Sequence, residues 1–354
     1  MTTLAAAKRE RLQQGVVIPA HPLALDPHGR FDERHQRALT RYYLASGAGG
    51  MAVAVHTTQF AIRNPQIGLY RPVLEAAADV VREVGAQDHC LKIAGVVGDT
   101  VQALREAQWA AQLGYDLALV SLAGLGDWSD AQLLAHIQEL TQVLPVMAFY
   151  LQPSVGGRPL GYAFWRALAD VEGVVAIKIA PFNRYETLSV VRAVCESDRC
   201  DDIALYTGND DHIVLDLFSE YRFAARGSVV TKRMVGALLG QCAVGTRRAV
   251  DFLQAMQIWL ASGERDIPAE WMTLAHEWTD LNAALFDAAN SFRGCIPGIH
   301  EVLVRQGLLA SPRCLDPNEC LSPSQHAEID RVLLAYPHLL DDDFVRDHLD
   351  DWLH

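Results

Sequence analysis

The chain has 354 residues, half of them hydrophobic, and a formal net charge of −13 at pH 7. That length supports a large core, as one big domain with additions or as two ordinary domains, and the composition excludes a disordered chain. The acidic balance argues against nucleic acid or an anionic membrane as the main partner, while a few local donors can still hold a small anion.

Short apolar runs alternate with longer amphipathic stretches over about the first 245 residues. The expected strands are 15–20, 50–55, 91–96, 117–121, 145–150, 174–179, 203–207 and 226–230. They are rich in Val, Ile, Leu and Ala and mostly continuous, as in a parallel sheet covered on both faces. Helix starts are marked by Asp32, Asp99-Thr100, Ser129 and Asn183, and helix ends by Gly47, Gly85 and Gly114. Eight such units predict an α/β fold, a (β/α)8 TIM barrel, over residues 1–245. An open doubly wound sheet competes, but the first strand lacks a following G-x-G-x-x-G. From residue 246 to 354 the pattern is helical only, a C-terminal region expected to pack on the barrel. The acidic Asp341-Asp342-Asp343 reads as a helix N-terminus.

The seven cysteines form no C-x-x-C pair and read as reduced thiols. Residues 1–14 lack the apolar centre of a signal peptide, and no apolar run approaches the roughly 18 residues of a membrane helix. A cytoplasmic protein is the expectation.

Lysine occurs only four times against 26 arginines, and Lys178 lies late in the apolar run Val174-Val175-Ala176-Ile177-Lys178-Ile179-Ala180. A lysine buried there must find a partner or lose its charge, and a neutral amine is a nucleophile. Barrel enzymes carry their chemistry at the C-terminal ends of strands. That favours Lys178 over Lys92, which starts its strand and can reach water at the other end of the barrel. Tyr150 ends the preceding strand, and period-two alternation groups it with Ala148 and Val146, and Lys178 with Ala176 and Val174. The phenol is therefore expected beside the amine at the barrel mouth, where it can carry protons. Thr57 and Thr58 follow the second strand and offer hydroxyls and N–H groups to a carboxylate, or form an ordinary turn. His21 and His56, at the ends of strands one and two, are expected near each other as acid–base groups; two histidines without a third ligand do not make a metal site, and no metal or cofactor is expected.

Tyr150-Leu151-Gln152-Pro153 resembles the Y-N-x-P motif of the dihydrodipicolinate synthase/N-acetylneuraminate lyase family. Ala176-Ile177-Lys178 resembles its Schiff-base strand, and His56-Thr57-Thr58-Gln59-Phe60 stands where the family has G-T-T-G-E. Tyr206-Thr207-Gly208-Asn209-Asp210 is similar to its S-G-D-D, and further degenerate matches run from Pro22-Leu23 to Gly307-Leu308-Leu309. The resemblance implies a class I aldolase or lyase in which Lys178 forms an imine with pyruvate or a related 2-keto acid. It implies that Tyr150 shuttles protons, Thr57 links Tyr150 to the relay and Thr58 binds the carboxylate. Gly208, Asn209, His21 and His56 complete the expected substrate contacts. A homo-oligomer, tetramer or dimer, is implied as well.

The chain also departs from that pattern. Gln59 replaces a glycine and Phe60 the glutamate, and the loop Leu122-Ala123-Gly124-Leu125-Gly126 lacks the family's P-Y-Y. Val155 stands where the synthase branch has an arginine, with Arg158 displaced by three residues. Lysine-biosynthetic synthase activity is therefore not expected. The alternatives are a dehydratase of a deoxy-keto sugar acid, or a non-catalytic protein that binds a keto acid.

Overall fold

The structure is a computed structural model, which describes residues 2–354. Seven strands, β1 (Val17–Pro19), β2 (Gly50–Val53), β3 (Leu91–Val96), β4 (Leu117–Ser121), β5 (Val146–Leu151), β6 (Val174–Ala180) and β7 (Ala204–Thr207), fall inside the expected runs or extend them by one residue. The run at 226–230 is not the eighth barrel strand. It belongs to an antiparallel hairpin of β8 (Tyr221–Ala225) and β9 (Ser228–Lys232), and the barrel is completed by β10 (Met234–Leu239). The hairpin's residues are largely exposed, whereas β10 is buried almost throughout. A β-rich run can serve either place, and only burial separates them.

The eight barrel strands are all parallel, in the order β1-β10-β7-β6-β5-β4-β3-β2. A parallel bridge between Ala20 and Ala52 joins β1 to β2 and closes the ring into a TIM barrel. The helices between strands start where the caps indicate. Asp32, Asp99, Ser129 and Asn183 each accept a backbone N–H in the first turn of the helix that follows. Gly47, Gly85 and Gly114 take positive φ just past helix ends.

Helix Ala6–Gln14 plugs the N-terminal end of the barrel. Leu12 is buried with Ile18, Leu91 and Leu117, a contact contributing about 2 kcal/mol. The Tyr206 hydroxyl donates to the Leu12 carbonyl at 2.9 Å. Lys8 and Asp116 pair at 2.7 Å near the start of β3, and the Lys92 ammonium reaches the Leu113 carbonyl at 3.4 Å at the same end.

The helices from Thr246 onward share one apolar core with β1 and helix Glu33–Ala45. Tyr42 packs against Trp352 at 5.4 Å, and its hydroxyl donates to Asp341 at 2.6 Å. The acidic triplet does lead into a helix, Asp342–Leu353. The Asp341 carboxylate, however, accepts the Arg247 and Arg248 N–H groups and so caps the helix Thr246–Ser262, more than ninety residues earlier.

Candidate active site

Lys178 is the fifth residue of β6, with Ala176 and Ala180 on its face and the barrel interior around it. Its side chain enters a cavity at the C-terminal mouth of the barrel, with an empty volume of about 610 Å³ including the opening. Lys178 and Lys92 are equally buried, each 8% exposed, so burial does not tell them apart. Surroundings do. The Lys178 Nζ lies 4.2 Å from the centre of the Phe149 ring and has no hydrogen-bond or ion-pair partner among the described residues, whereas the Lys92 Nζ reaches the Leu113 carbonyl at 3.4 Å. Burial lowers its pKa to about 8, with the Asp210 charge opposing the shift.

The lysine stem fits in the cavity because Gly208 has no side chain. A Cβ there would stand 2.7 Å from the Lys178 Cε and 2.8 Å from the Ala180 Cβ. Gly208 thus lines the cavity as expected for a site residue, by leaving room for the lysine stem.

Asp210 also lines the cavity, half-buried, with its Oδ1 shut off from solvent and without a hydrogen-bond partner among the described residues. Burial raises its pKa and the Lys178 charge opposes the rise. Two groups of opposite sign in one cavity, each pushed toward neutrality, lie close together in proton affinity. Asn209, the expected contact, points elsewhere. Its Nδ2 donates to Asp216 at 2.9 Å and its Oδ1 accepts the Phe182 N–H at 3.1 Å. The motif holds both residues, and only the turn after β7 decides which side chain enters the cavity.

Tyr150 is not beside Lys178. In the β5–β6 ladder Phe149 pairs with Lys178, and Tyr150 pairs with Ile179 on the outer face. The Tyr150 hydroxyl donates to Glu186 at 2.6 Å, and its ring packs 4.8 Å from Trp165. Burial, and then that bond to a carboxylate, push its pKa up. The pairing shifts register between Val146 and Met147, so Val174 also falls on the outer face, away from Lys178. Ala148 and Val146 do share Tyr150's face; it is simply the wrong one.

His56 and Thr57 reach the cavity in a short 3-10 turn after β2. Burial, and secondarily the Lys178 charge, push the His56 pKa down to about 4, so the imidazole is neutral at pH 7. The Thr57 hydroxyl donates to the Ala20 carbonyl at 2.9 Å and has no contact with Tyr150. Thr58 is fully buried behind it. Its hydroxyl donates to the His21 carbonyl at 2.6 Å and accepts the Val55 N–H, so it is closed off from the cavity. Gln59, where a glycine was expected from the motif, takes φ 67°, and its Oε1 accepts the Leu315 N–H at 2.6 Å. That anchors the turn to the C-terminal region.

His21 is not near His56 at the mouth. It faces helix Glu33–Ala45, with Nε2 2.9 Å from the Thr40 hydroxyl and Nδ1 2.9 Å from the Pro22 carbonyl. Burial pushes its pKa down to about 4. It is a satisfied core histidine. Val155 lines the cavity, while Arg158 is turned aside to the carbonyls of Leu125, Gly126 and Trp128.

The rest of the lining was not marked by local sequence. Gln152, Phe182, Phe286, Phe292, Cys295 and Ile299 enter it, the last four from the C-terminal region. No three His, Cys, Asp or Glu side chains gather as a metal site among the described residues.

Residues 13–241, which include all eight barrel strands, match the model of the Dihydrodipicolinate synthetase family. The chain belongs to that family. Curated relatives include the 4-hydroxy-tetrahydrodipicolinate synthases of Synechocystis, 27% identical over 205 residues, and of Clostridium novyi, 29% identical over 117. The first match spans 55% of this chain and 62% of the relative, the second 33% and 38%. The chain therefore matches these relatives over less than two thirds of their length. The fold is also that of YagE, a prophage protein of the family from E. coli K12 in complex with pyruvate, with TM-score 0.71 and 18% identity. That likeness covers 91% of this chain and 97% of the other. N-acetylneuraminate lyase from Fusobacterium nucleatum, complexed with pyruvate, gives 0.70 at 15% identity, covering 93% and 99%. No helix among the described residues is long and apolar enough to cross a membrane.

Proposed function

We propose that this family member is a class I lyase or aldolase that joins Lys178 to pyruvate or a related 2-keto acid as an imine. One observation carries the reading: a buried amine at the mouth of the barrel, pushed toward its free base, with no ion-pair partner within 4.0 Å. Such an amine adds to the C2 carbonyl, and loss of water leaves a protonated imine. In the cleavage direction the C3–C4 electrons flow into that imine, giving an enamine. Protonation at C3 and hydrolysis release the keto acid and restore the amine.

The proton carriers we assign are Asp210 and His56, both on the cavity wall, in place of the outward Tyr150. The keto acid's carboxylate is assigned to the turn at His56 and Thr57. The backbone N–H groups of these two residues have no hydrogen-bond partner among the described residues, and the Thr57 hydroxyl lies beside them. A cytoplasmic homo-oligomer, dimer or tetramer, is part of the same proposal, and a solution mass tests the stoichiometry.

The outward Tyr150 favours a second reading, a protein that binds the keto acid as an imine without turnover. Incubation with pyruvate and borohydride, followed by mass analysis of the peptide holding Lys178, tests the first step. No adduct with any small keto acid would sink both readings. An adduct without cleavage or addition of any aldol partner supports the second.

A further inference from the structure

Four phenylalanines, Phe149, Phe182, Phe286 and Phe292, line the cavity around Lys178. We propose that the second reactant is an aldehyde carrying an uncharged aromatic group, an assignment that rests on the imine chemistry proposed for Lys178.

The walls leave little for a charged or hydroxyl-rich partner. No arginine lines the cavity, because Val155 occupies the wall and Arg158 is tied to three carbonyls of the neighbouring loop. Apart from Lys178 itself, no lysine or arginine lines the cavity among the described residues, and Asp210 in its ionised form repels an anion. A polyhydroxylated chain would find only His56, Thr57, Gln152 and Asp210 as side-chain partners, and would lose water wherever it lay against the phenyl rings. An aryl group loses nothing there and stacks edge-to-face.

The aromatic wall is also held in place. The Phe182 and Phe292 rings meet in a T-shaped pair, centres 5.5 Å apart. Both residues have positive φ, 52° and 64°, a conformation that bulky side chains rarely take. The surroundings enforce it. The Phe182 N–H donates to Asn209, and the Phe292 N–H to the Asp287 carbonyl at 3.0 Å. The Asp287 carboxylate in turn accepts the Gly294 N–H and the Asn290 amide. Strain of this kind persists where its surroundings over-determine it and gathers at ligand clamps. Phe286 and Phe292 lie beyond the family-matched residues 13–241, so this wall belongs to the chain's own C-terminal region.

In the cleavage direction the substrate is a 4-aryl-4-hydroxy-2-keto acid held as the Lys178 imine. The C4 hydroxyl gives its proton to a cavity base while the C3–C4 bond breaks. Its electrons enter the imine, C4 leaves as the aryl aldehyde, and C3 takes a proton. No oxidant or reductant enters.

Competitive borohydride trapping tests this on the intact protein. Pyruvate alone is trapped first, which tests the imine independently. Then 4-phenyl-2-oxobutanoate competes with a straight-chain dihydroxylated 2-keto acid for the Lys178 peptide. The phenyl compound should be captured at least about tenfold in preference, on the scale that a specific pocket achieves. Phe292→Asn, chosen because asparagine tolerates positive φ, should erase that preference when capture of each acid is expressed relative to the variant's own pyruvate adduct. Equal capture, or preference for the hydroxylated acid, with the pyruvate adduct intact overturns the aromatic assignment alone. Loss of the pyruvate adduct overturns the imine reading and this one with it. A preference that survives Phe292→Asn and Phe182→Asn together also overturns it.

Discussion

Tyr150→Phe separates the motif from the geometry. The hydroxyl donates to Glu186 at 2.6 Å, and the ring lies against Trp165 on the outer face of β5. Phenylalanine keeps the ring packing and removes one hydrogen bond to a carboxylate, a bond contributing about 1.5–3 kcal/mol. Glu186 is only half-buried, so water replaces part of it, and the net loss should be about 1–2 kcal/mol. An unfolding entropy of about 2.1 cal/mol/K per residue amounts to roughly 0.7 kcal/mol/K over this chain, so Tm should fall by about 2 °C. Removing a proton-transfer group costs about 10²–10⁴ in rate. The rate of borohydride trapping with pyruvate, and of any turnover, should instead stay within about threefold of the parent protein, well below that loss. The pair of measurements is a thermal melt and a trapping time course. A hundredfold loss of trapping or turnover with an unchanged Tm would refute the outward placement of Tyr150.

Three other substitutions probe the cavity. Asp210→Asn removes the charge that opposes the lowering of the Lys178 pKa, so the rise of trapping rate with pH should move below about 8; an unmoved or upward-shifted profile contradicts the pairing. Lys178→Met tests burial of the amine through stability. The folded pKa lies below the ordinary 10.5, so the ammonium opposes folding at pH values below about 8, and the penalty fades between about 8 and 10.5. The variant should melt higher at pH 7, with a stability gain on the order of 3 kcal/mol, and that charge-linked gain should fade toward pH 10.5; a lower Tm at pH 7 refutes it. Gly208→Ala places a Cβ 2.7 Å from the Lys178 Cε and should slow trapping about ten- to hundredfold by displacing the amine; undiminished trapping would show that the lysine stem has room to spare.

Much of the barrel was legible in one chain. Continuous apolar runs gave seven strands, and Asp32, Asp99, Ser129 and Asn183 cap the helices they precede. The eighth strand was misplaced because the hairpin run at 226–230 is as β-rich as Met234–Leu239, and nothing local says which one is covered. Lys178 was legible because a lone lysine late in an apolar strand has few uses. Asp210 stood inside a motif whose neighbour Asn209 read equally well.

The sequence by itself determined the barrel class, the family pattern and the lysine at the strand end, since each rests on local order and spacing. Only the tertiary structure decided the faces. Side chains alternate along a strand, so one extra residue in β6, at Val175, put Lys178 on the face opposite Tyr150 and beside Phe149. It also decided the walls, because Phe286 and Phe292 reach Lys178 from more than a hundred residues away along the chain. No spacing rule links residues so far apart; their meeting is a property of how the C-terminal helices pack over the mouth of the barrel.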